Sequence, residues 1–530
     1  MTTLRLALAL FALGSAPLAQ IELDPVESTP LSAGDRLGTS VDLDGDRMVV
    51  GAPGDDTQAS SAGAAYVFER SAGVWTQTAV LYGDGAWLAD FGTAVAVSGD
   101  WIAVGAPDED DPFIYAGAVY LFQLQGGEWV RTQKLSSPGI EVTKMGSALV
   151  LEGTRLLIGR PAHTYGGATG DGDAAVYELQ DGTWNLTATL VPEDVPFAIG
   201  IAASVAMEGD LIALGCGGTP YRVWLFERLD GSWTQIAEIS SPGPSQFATS
   251  VALSEGRLFV GTPGLSSGGL FAPVTGGVIV YEDFDGDWLA TGFMEADDPL
   301  GSSGLGTQVV ARGDLVLTSA DDDAIGEDES GQAYLFQQQG ASWVQLARLP
   351  ATDIDALDNF GWSLAMDDTT ALVGARYAFG TEDFSGRVHV YDVTQVGAAL
   401  QGEGVSISAG AGGSQDLLLT AGPEHAGDLY WILGTISGTS PGLSLGPDVL
   451  LPLNVDAYFA LTVGAPSDGP LVNATGTLDG TGQAEASFEL LAGATPGAAG
   501  LVLHHAYAVA DAVRFEVELA SNAVEVAVVP

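Results

Sequence analysis

The sequence predicts an all-β protein, a seven-bladed β-propeller followed by a C-terminal β-sandwich, and three observations support this prediction. A unit of nearly constant length recurs along most of the chain, which is typical of repeat architectures. Each copy contains four short runs with strand patterning, separated by turns rich in Gly and Asp. After residue 396 the repeat stops, and apolar runs with a different spacing follow.

Two anchors define the repeat. A Trp that opens a short apolar run marks six copies: Trp75, Trp129, Trp184, Trp233, Trp288 and Trp343. A triplet marks seven copies, beginning at Gly51, Gly105, Gly159, Gly215, Gly261, Ser319 and Gly374. It reads Gly51-Ala52-Pro53 in the first copy and Gly105-Ala106-Pro107 in the second. The seventh copy therefore lacks its Trp strand.

The second copy shows the four strands of one unit. An alternating run at 93–97 is followed by a tight turn and a run at 101–104, then by an aromatic run at 118–122 and the Trp run at 129–135. Short β-rich runs with no helical period between them predict strands and hairpins. Four strands per repeat are typical of a propeller blade, and a solenoid is the alternative architecture.

The start of the chain offers a replacement for the missing Trp strand. Repeat seven, residues 360–396, ends after its third strand, whereas Gln20-Ile21-Glu22-Leu23 resembles the ends of the fourth strands elsewhere. An N-terminal strand that completes the last blade would close the ring and cover a free strand edge. We therefore predict a propeller over residues 20–396.

These repeats resemble the FG-GAP repeat, which builds the seven-bladed propeller of integrin α-subunits and occurs in many secreted bacterial proteins. Phe91-Gly92 and Phe360-Gly361 supply the FG, and the triplets at Gly51 and Gly105 supply the GAP. The resemblance covers residues 21–396. It implies an integrin-like propeller of the exported bacterial type, with protein or glycan ligands.

Calcium-binding members of this family carry an Asp-x-Asp-x-Asp-Gly loop between strands 1 and 2. Asp42, Asp44 and Asp46 resemble a remnant of that loop, but Val41 and Met48 flank them at the hairpin spacing of the other copies. A turn this short does not let three carboxylates surround an ion. The family's calcium site is therefore not expected in this hairpin.

Residues 1–19 have the order of a secretory signal peptide: Arg5, an apolar run at 6–13, and small residues up to Ala19. They predict an exported protein, placed outside the cell, on its surface or in the periplasm. A membrane span needs about 18 or more consecutive apolar residues, and no other run of this kind is found. We therefore expect no membrane-spanning segment.

The composition argues against polyanionic partners. The chain has 68 Asp and Glu against 17 Lys and Arg, a net charge of −51. The electrostatic field of this negative charge repels nucleic acids and anionic membranes. The single Cys216 excludes an internal disulfide, and its place after an apolar run predicts a small buried residue.

Candidate ligand-facing residues lie in the connections between strands 2 and 3, which are long and irregular, whereas the strand 1–2 turns are short hairpins. Function tends to collect on loops held by a rigid scaffold. The acids on this loop face are Asp55, Asp56, Asp108, Asp110, Asp111, Asp321, Asp322 and Asp323. Calcium is the candidate cofactor, but calcium loops space their oxygens alternately, so consecutive acids favour a solvated acidic rim.

Other motifs carry no chemistry. The G-x-S-x-G matches at 264–268 and 438–442 lack the following helix of a nucleophile elbow. Arg312-Gly313-Asp314 stands at the strand 1–2 turn of its repeat, and the adjacent His504 and His505 would point to opposite faces of a strand. No catalytic, cofactor-binding or metal-ligating residue is predicted.

The region after residue 396 has a composition of its own. Residues 397–415 are rich in Gly, Ala and Ser and predict a linker. Short apolar runs in 416–530, among them 458–463, predict a β-sandwich module, with Asp479-Gly480 as a hairpin turn between 471–478 and 483–490. A docking or spacing role is the hypothesis for this module.

The functional prediction is an exported, non-catalytic binding or adhesion module that presents its loop face to a protein or glycan. An extracellular hydrolase acting on polysaccharide, with acids of the strand 2–3 face, is one alternative, but among 68 acids the sequence alone does not select the two carboxylates that must flank the scissile bond. A structural component of the cell envelope is the other. Ligand identity and oligomeric state stay open at the level of sequence.

Overall fold

The computed structural model describes residues 22–529 except 27–31, 72, 111–113, 138–142, 162–171, 194, 196–199, 220, 243–245, 266–274, 297–303, 321–323, 326–327, 330, 340–341, 350–357, 379–383, 394–398, 402–404, 422–424, 438–442, 447–448, 452, 465–468, 481, 492–499, 511–516 and 522–523. Strands dominate, so the predicted all-β class is confirmed. Two compact units are found, Glu22–Tyr391 and a C-terminal unit containing Asp392–Pro530.

The strands of the first unit follow one another at short intervals. They are β1 (Glu22–Val26), β2 (Ser40–Asp44), β3 (Arg47–Ala52), β4 (Ala64–Ser71), β5 (Val74–Leu81), β6 (Ala94–Ser98), β7 (Trp101–Ala106), β8 (Ala118–Gln125), β9 (Glu128–Ser136), β10 (Ala148–Glu152), β11 (Arg155–Arg160), β12 (Asp173–Gln180), β13 (Thr183–Leu190), β14 (Ile201–Glu208), β15 (Leu211–Cys216), β16 (Arg222–Leu229), β17 (Ser232–Ser240), β18 (Val251–Ser254), β19 (Arg257–Gly261), β20 (Val278–Phe284), β21 (Asp287–Met294), β22 (Gln308–Arg312), β23 (Leu315–Ala320), β24 (Ala324–Ile325), β25 (Asp328–Glu329), β26 (Gln332–Gln339), β27 (Ser342–Leu349), β28 (Phe360–Met366), β29 (Thr370–Ala375) and β30 (Arg387–Asp392).

Within the described residues these strands form seven four-stranded antiparallel sheets and one small hairpin, β24-β25. We number the four-stranded sheets 1 to 7 in chain order. They are β2-β3-β4-β5, β6-β7-β8-β9, β10-β11-β12-β13, β14-β15-β16-β17, β18-β19-β20-β21, β22-β23-β26-β27 and β28-β29-β30-β1. Sequential four-stranded antiparallel sheets are consistent with β-propeller blades.

Neighbouring sheets contact each other through their first strands. These strands contact one another in a cycle, β2 to β6, β10, β14, β18, β22 and β28, and β28 contacts β2 again. The Ser40 hydroxyl donates to the Gly92 carbonyl at 2.8 Å and joins sheet 1 to sheet 2. The Ser363 hydroxyl donates to the Gly38 carbonyl at 2.8 Å and joins sheet 7 to sheet 1.

Sheet 7 takes its outer strand from the start of the chain. β1 pairs antiparallel with β30, with Glu22 opposite Tyr391 and Leu23 opposite Val390. The other six sheets take their outer strand from their own repeat. This pairing accounts for the missing Trp in the seventh copy, because that position is filled by another segment.

The turns between the first and second strands also join neighbouring sheets. Gly99 and Gly153 follow their first strands with φ of 54° and 56°, values that favour glycine. The Gly99 N–H donates to Asp44 at 2.6 Å, and the Gly153 N–H donates to Ser98 at 3.1 Å. Each turn thus binds the side chain that ends the first strand of the preceding sheet.

Arginines at the start of second strands hold the Trp anchors of the next sheet. The Arg47 guanidinium lies 5.0 Å from the ring centre of Trp129 and donates to the Gly99 carbonyl at 2.6 Å. Cation–π contacts of this kind contribute about 1 kcal/mol each. The same pairing recurs for Arg155 with Trp233 and for Arg257 with Trp343.

The C-terminal unit contains two larger sheets around one hydrophobic cluster. Its elements are β31 (Ala399–Gln401), β32 (Val405–Ser408), β33 (Gly413–Thr420), β34 (Leu429–Thr435), β35 (Leu443–Gly446), β36 (Val449–Leu451), α1 (Ala457–Gly464), β37 (Leu471–Val472), β38 (Thr475–Thr477), β39 (Gln483–Leu490), β40 (Val502–Ala510), β41 (Val517–Ala520) and β42 (Val524–Val529). The sheets are β31-β33-β39-β37 and β32-β42-β40-β34-β38, with β41 on β40. Leu417 and Phe488 of the first sheet share a cluster with Ile432 and Tyr507 of the second.

Three details of this unit differ from the sequence interpretation. β31, β32 and the start of β33 lie within 397–415, the stretch predicted as a linker. The apolar run 458–463 is helical, because Asp456 accepts the Phe459 N–H at 2.8 Å and caps α1. The turn at Asp479 exists, with its N–H donating to the Gln483 carbonyl at 2.8 Å, but the strands beside it, β38 and β39, belong to different sheets.

Candidate functional site

The loops between second and third strands are closed by a backbone hydrogen bond. In sheet 1 the Gly63 N–H donates to the Asp55 carbonyl at 3.0 Å, and in sheet 2 the Gly117 N–H donates to the Glu109 carbonyl at 3.0 Å. A Cβ on Gly63 would lie 2.0 Å from the Phe91 carbonyl oxygen of the next sheet. The base of each loop is therefore closed by its own hydrogen bond and packs against the backbone that leads into the next sheet.

Asp55 is a buried acid rather than a member of a solvated rim. Its side chain is 1% exposed. The Tyr66 hydroxyl donates to its Oδ2 at 2.6 Å, and the Thr57 N–H donates to its Oδ1 at 2.7 Å. Burial and this hydrogen bond raise the pKa of Tyr66. The interpretation as a solvated rim is wrong for Asp55, because a partner 11 residues later along the chain covers it.

The other predicted acids described in these two loops accept hydrogen bonds from the backbone of their own loop or pair with a nearby lysine. The Ser61 N–H donates to Asp56 at 2.6 Å, and the Tyr115 N–H donates to Asp110 at 2.8 Å. Asp108 forms an ion pair with Lys144. These contacts shape the loops and leave Asp56 and Asp110 exposed. The remaining candidates, Asp111, Asp321, Asp322 and Asp323, lie outside the described residues.

Sequence reasoning missed Glu109, the counterpart of Asp55 in sheet 2. Glu109 is 4% exposed. It accepts the Tyr120 hydroxyl at 2.7 Å and the Lys134 ammonium at 2.6 Å. Lys134 also reaches Asp84 at 3.0 Å. The available signal was the repeat itself, because Glu109 and Tyr120 stand 54 positions after Asp55 and Tyr66.

The loop end of the sheets also carries exposed apolar side chains. Trp87, in the link between sheets 1 and 2, is 71% exposed, Ile114 is 52% exposed and Phe384 is 45% exposed. In sheet 7 the Arg376 guanidinium lies between two rings, stacking on Trp362 and lying 4.5 Å from the ring centre of Tyr377. Trp87, Ile114 and Phe384 belong to no motif or charge cluster in the sequence, and none of them is among the predicted site residues.

The opposite end of the sheets carries a shallow charged groove. Asp44, Asp46, Arg47, Glu69 and Arg70 line a cavity of about 260 Å³. Arg47 pairs with Glu69 at 3.3 Å and Arg70 pairs with Asp46 at 2.7 Å, so both cations are neutralised inside the groove. Each arginine of the groove is therefore already paired with a carboxylate of the same groove.

The Arg312-Gly313-Asp314 tripeptide lies at this same end, as its turn position predicted. Arg312 pairs with Asp368 at 2.9 Å, and the Gly313 N–H donates to Ser254 at 2.8 Å. Asp314 accepts Arg257 at 3.3 Å. All three residues hold neighbouring sheets together.

Asp42 gives the stability of the fold a pH dependence. It accepts the Val97 N–H of the next sheet at 2.6 Å, and burial raises its pKa to about 7. A carboxyl whose pKa rises on folding stabilises the fold at low pH, and this contribution is lost as the pH rises through the folded value. The relevant window therefore runs from about pH 4 to about pH 7.

We expect the melting temperature to fall as the pH rises from 5 to 8. Asp42→Asn keeps the acceptor oxygen without the charge, so it should flatten this dependence and stabilise the protein at pH 8 by on the order of 2 kcal/mol. Thermal melts of both proteins across this range measure the effect. Equal slopes for the two proteins would show that Asp42 titrates normally.

Two further side chains with reactive groups, Cys216 and His505, are buried. Cys216 is buried and donates weakly to the Gly218 carbonyl at 3.4 Å. His505 is fully buried against the Tyr458 hydroxyl at 2.8 Å, and burial lowers its pKa to about 3. Ser266 and Ser440 of the G-x-S-x-G matches fall outside the described residues.

Two further findings bear on partners. Among the residues that the structure describes, no group of three or more His, Cys, Asp or Glu side chains is placed to hold a metal ion. No described helix has the length and apolar character that crossing a membrane requires.

A family model for the FG-GAP repeat matches residues 31–68, 75–122 and 343–391. The chain carries FG-GAP repeats. The structure explains the FG-GAP signature physically: the Gly92 N–H of the FG donates to the Gly105 carbonyl of the GAP at 2.9 Å. Gly105 in turn packs on the Gly146 carbonyl of the next repeat. FG-GAP repeats suggest a propeller-type binding module.

Two solved structures are similar to this chain at low sequence identity. A candidate 6-phosphogluconolactonase from Bacteroides uniformis is 13% identical, covers 64% of this chain and 89% of its own, and has a TM-score of 0.40. A chain of a mitotic checkpoint complex is 11% identical, covers 72% of this chain and 98% of its own, and has a TM-score of 0.46. The comparison with curated proteins found no match.

Proposed function

We propose that this chain is an exported, non-catalytic binding module whose seven sheets form one closed propeller ring, followed by a β-sandwich. A protein or glycan ligand would bind the loop face, the end of the sheets that carries the strand 2–3 loops and the links between sheets. The observation that carries the proposal is the exposed Trp87 on this face, 71% accessible in a link whose backbone is fixed.

The cycle of first-strand contacts and the pairing of β1 with β30 support the closed ring. The FG-GAP repeats support the same architecture. Two sheets around one hydrophobic cluster support a β-sandwich in the C-terminal unit. Export rests on the signal-like order of residues 1–19.

The two ends of the sheets differ in a way that favours the loop face. Turns such as Gly99 and Gly153 are occupied by bonds between neighbouring sheets. Exposed apolar side chains occur at both ends, with Phe284 and Leu229 at the opposite end, but the most exposed aromatic ring among the described residues, Trp87, lies on the loop face. Exposed aromatic residues on a rigid support are typical of interaction sites.

Binding fits the described loop acids better than catalysis does. A hydrolytic carboxylate pair needs two acids that flank one substrate bond. Asp55 and Glu109 are instead buried and satisfied by tyrosine hydroxyls, and Asp108 is paired with Lys144. These acids build the platform from which the apolar loop residues project.

A binding screen tests the proposal. The purified chain lacking residues 1–19 is applied to a glycan array and to a panel of extracellular proteins, and each retained ligand is then analysed for cleavage. We expect retention of at least one intact ligand class. Release of shortened saccharide would support the hydrolase alternative, and retention by cell-wall fragments alone would support the structural one.

A further inference from the structure

Sheet 1 contains two buried carboxylates beside the base of its strand 2–3 loop. Asp35 is 2% exposed and Asp55 is 1% exposed. Their chain segments are joined by the Gly54 N–H, which donates to the Asp35 carbonyl at 3.1 Å. The Asp35 Oδ2 accepts the Ser32 N–H at 2.6 Å, whereas its Oδ1 is buried without a hydrogen-bond partner.

Sheet 2 shows one way in which a carboxylate at this place is neutralised. Tyr120 pairs with Lys134 across β8 and β9, and the Lys134 ammonium donates to Glu109 at 2.6 Å. Sheet 6 has the same arrangement of residue types, with Tyr334 opposite Arg348. A cation on the fourth strand thus stands next to the tyrosine of the third.

Sheet 1 departs from this arrangement at two positions. In the same register, Tyr66 is opposite Val80, so the fourth strand supplies no cation. Asp35 stands two residues before Leu37, where sheet 2 has Ala89 two residues before Phe91, so a second acid is added. Sheet 1 therefore has one more buried carboxylate and one fewer cation than sheet 2.

The nearby charges do not compensate for this difference. The carboxylates of Asp55 and Asp56 add further negative charge near the buried Asp35. Arg36 turns to Asp90, with 3.6 Å between the charged groups. A buried carboxylate without a counter-charge is costly, and proteins resolve this with a proton or with a cation from outside.

We propose that a divalent, oxygen-seeking cation of the calcium type binds between Asp35 and Asp55 in sheet 1. It takes the place that the Lys134 ammonium fills in sheet 2. The Asp35 Oδ1 and the Asp55 carboxylate bind it, and a hard cation of this kind completes its shell with further oxygens, including water. This site is separate from the strand 1–2 hairpin, and it stands independently of the proposed ligand on the loop face.

Terbium luminescence tests the site, with Tb³⁺ as the probe and excitation through the aromatic side chains. We expect one saturable site that Ca²⁺ displaces. Val80→Lys supplies the ammonium that sheet 2 has, and Asp35→Asn removes the negative charge of the side chain with the orphan oxygen. Each substitution should weaken Tb³⁺ binding at this site at least tenfold. Val74→Lys, with Val74 64% exposed on the same strand, is the control for the added charge.

Melting temperatures with millimolar Ca²⁺ and with chelator give a second readout. Calcium should raise the melting temperature of the natural protein and of Val74→Lys, and leave that of Val80→Lys and Asp35→Asn unchanged. Absence of a saturable site in the natural protein would overturn the proposal in favour of a shared proton. Equal Tb³⁺ affinity in all four proteins would overturn it in favour of diffuse binding to the acidic surface.

Discussion

Gly105→Ala should lower the melting temperature of the first unit, Glu22–Tyr391, by several degrees. A Cβ at this position would lie 2.0 Å from the Gly146 carbonyl oxygen and 3.2 Å from the Gly146 Cα. Both atoms belong to the backbone of the next repeat, so neighbouring sheets must separate to admit one methyl group. Overpacking of this kind costs on the order of 3 kcal/mol, which is about 4 °C for a unit of this size.

Gly217→Ala is the matched control for this substitution. Gly217 is the last residue of the degraded triplet of the fourth repeat, and the nearest neighbour to a new Cβ there is the Thr249 Cα at 3.6 Å, an ordinary contact. We expect a change within about 0.5 kcal/mol for this substitution. A Gly105→Ala protein that melts with the control would mean that the sheets do not approach as closely as the FG-GAP contact implies.

Removing β1 should destabilise sheet 7 and expose the edge of β30. β1 is the outer strand of that sheet, paired through Glu22 with Tyr391, Leu23 with Val390 and Val26 with Val388. Each lost backbone hydrogen bond costs roughly 1 kcal/mol net, and an open strand edge invites pairing between molecules. A chain beginning at Glu27 should melt several degrees lower and associate with rising concentration.

A chain beginning at Gln20 is the control, because it keeps β1 and lacks only the signal-like segment. Differential scanning calorimetry and light scattering on both proteins measure stability and association. Identical melts would show that sheet 7 is stable without its N-terminal strand, and the ring would then not depend on the pairing of the two ends of the unit.

The repeat made much of the fold predictable. Six Trp anchors and seven triplets predict the strand order of each sheet. The absent seventh Trp predicts that the last sheet takes its outer strand from the start of the chain, and β1 fills that position. The prediction succeeds because each repeat folds into the same four-stranded sheet, so the strand pattern of one clear repeat applies to the others. Because sheets 1 and 2 pair their third and fourth strands in the same register, Val80 occupies in sheet 1 the position of Lys134 in sheet 2.

The candidate site was less predictable, because burial depends on neighbours that local patterning does not show. Asp55 and Asp56 are adjacent in sequence, yet Asp55 is buried under Tyr66 and Asp56 is exposed. Composition likewise gave no sign that Trp87 points outward. In the C-terminal unit, a short apolar run fits a strand or a helix equally well, and the Asp456 cap decides between them.

The most direct test of the central claim is the affinity of two alanine variants for the ligand retained in the binding screen. Trp87→Ala removes the exposed ring from the loop face, and Leu229→Ala removes a side chain that is 46% exposed at the opposite end of sheet 4. Both changes leave the core intact, so both proteins should melt like the natural one. A loop-face binder predicts at least a tenfold loss of affinity for Trp87→Ala and less than a twofold change for Leu229→Ala. Unchanged binding by Trp87→Ala together with a loss for Leu229→Ala would contradict the account and place the ligand at the end of the sheets opposite the loop face.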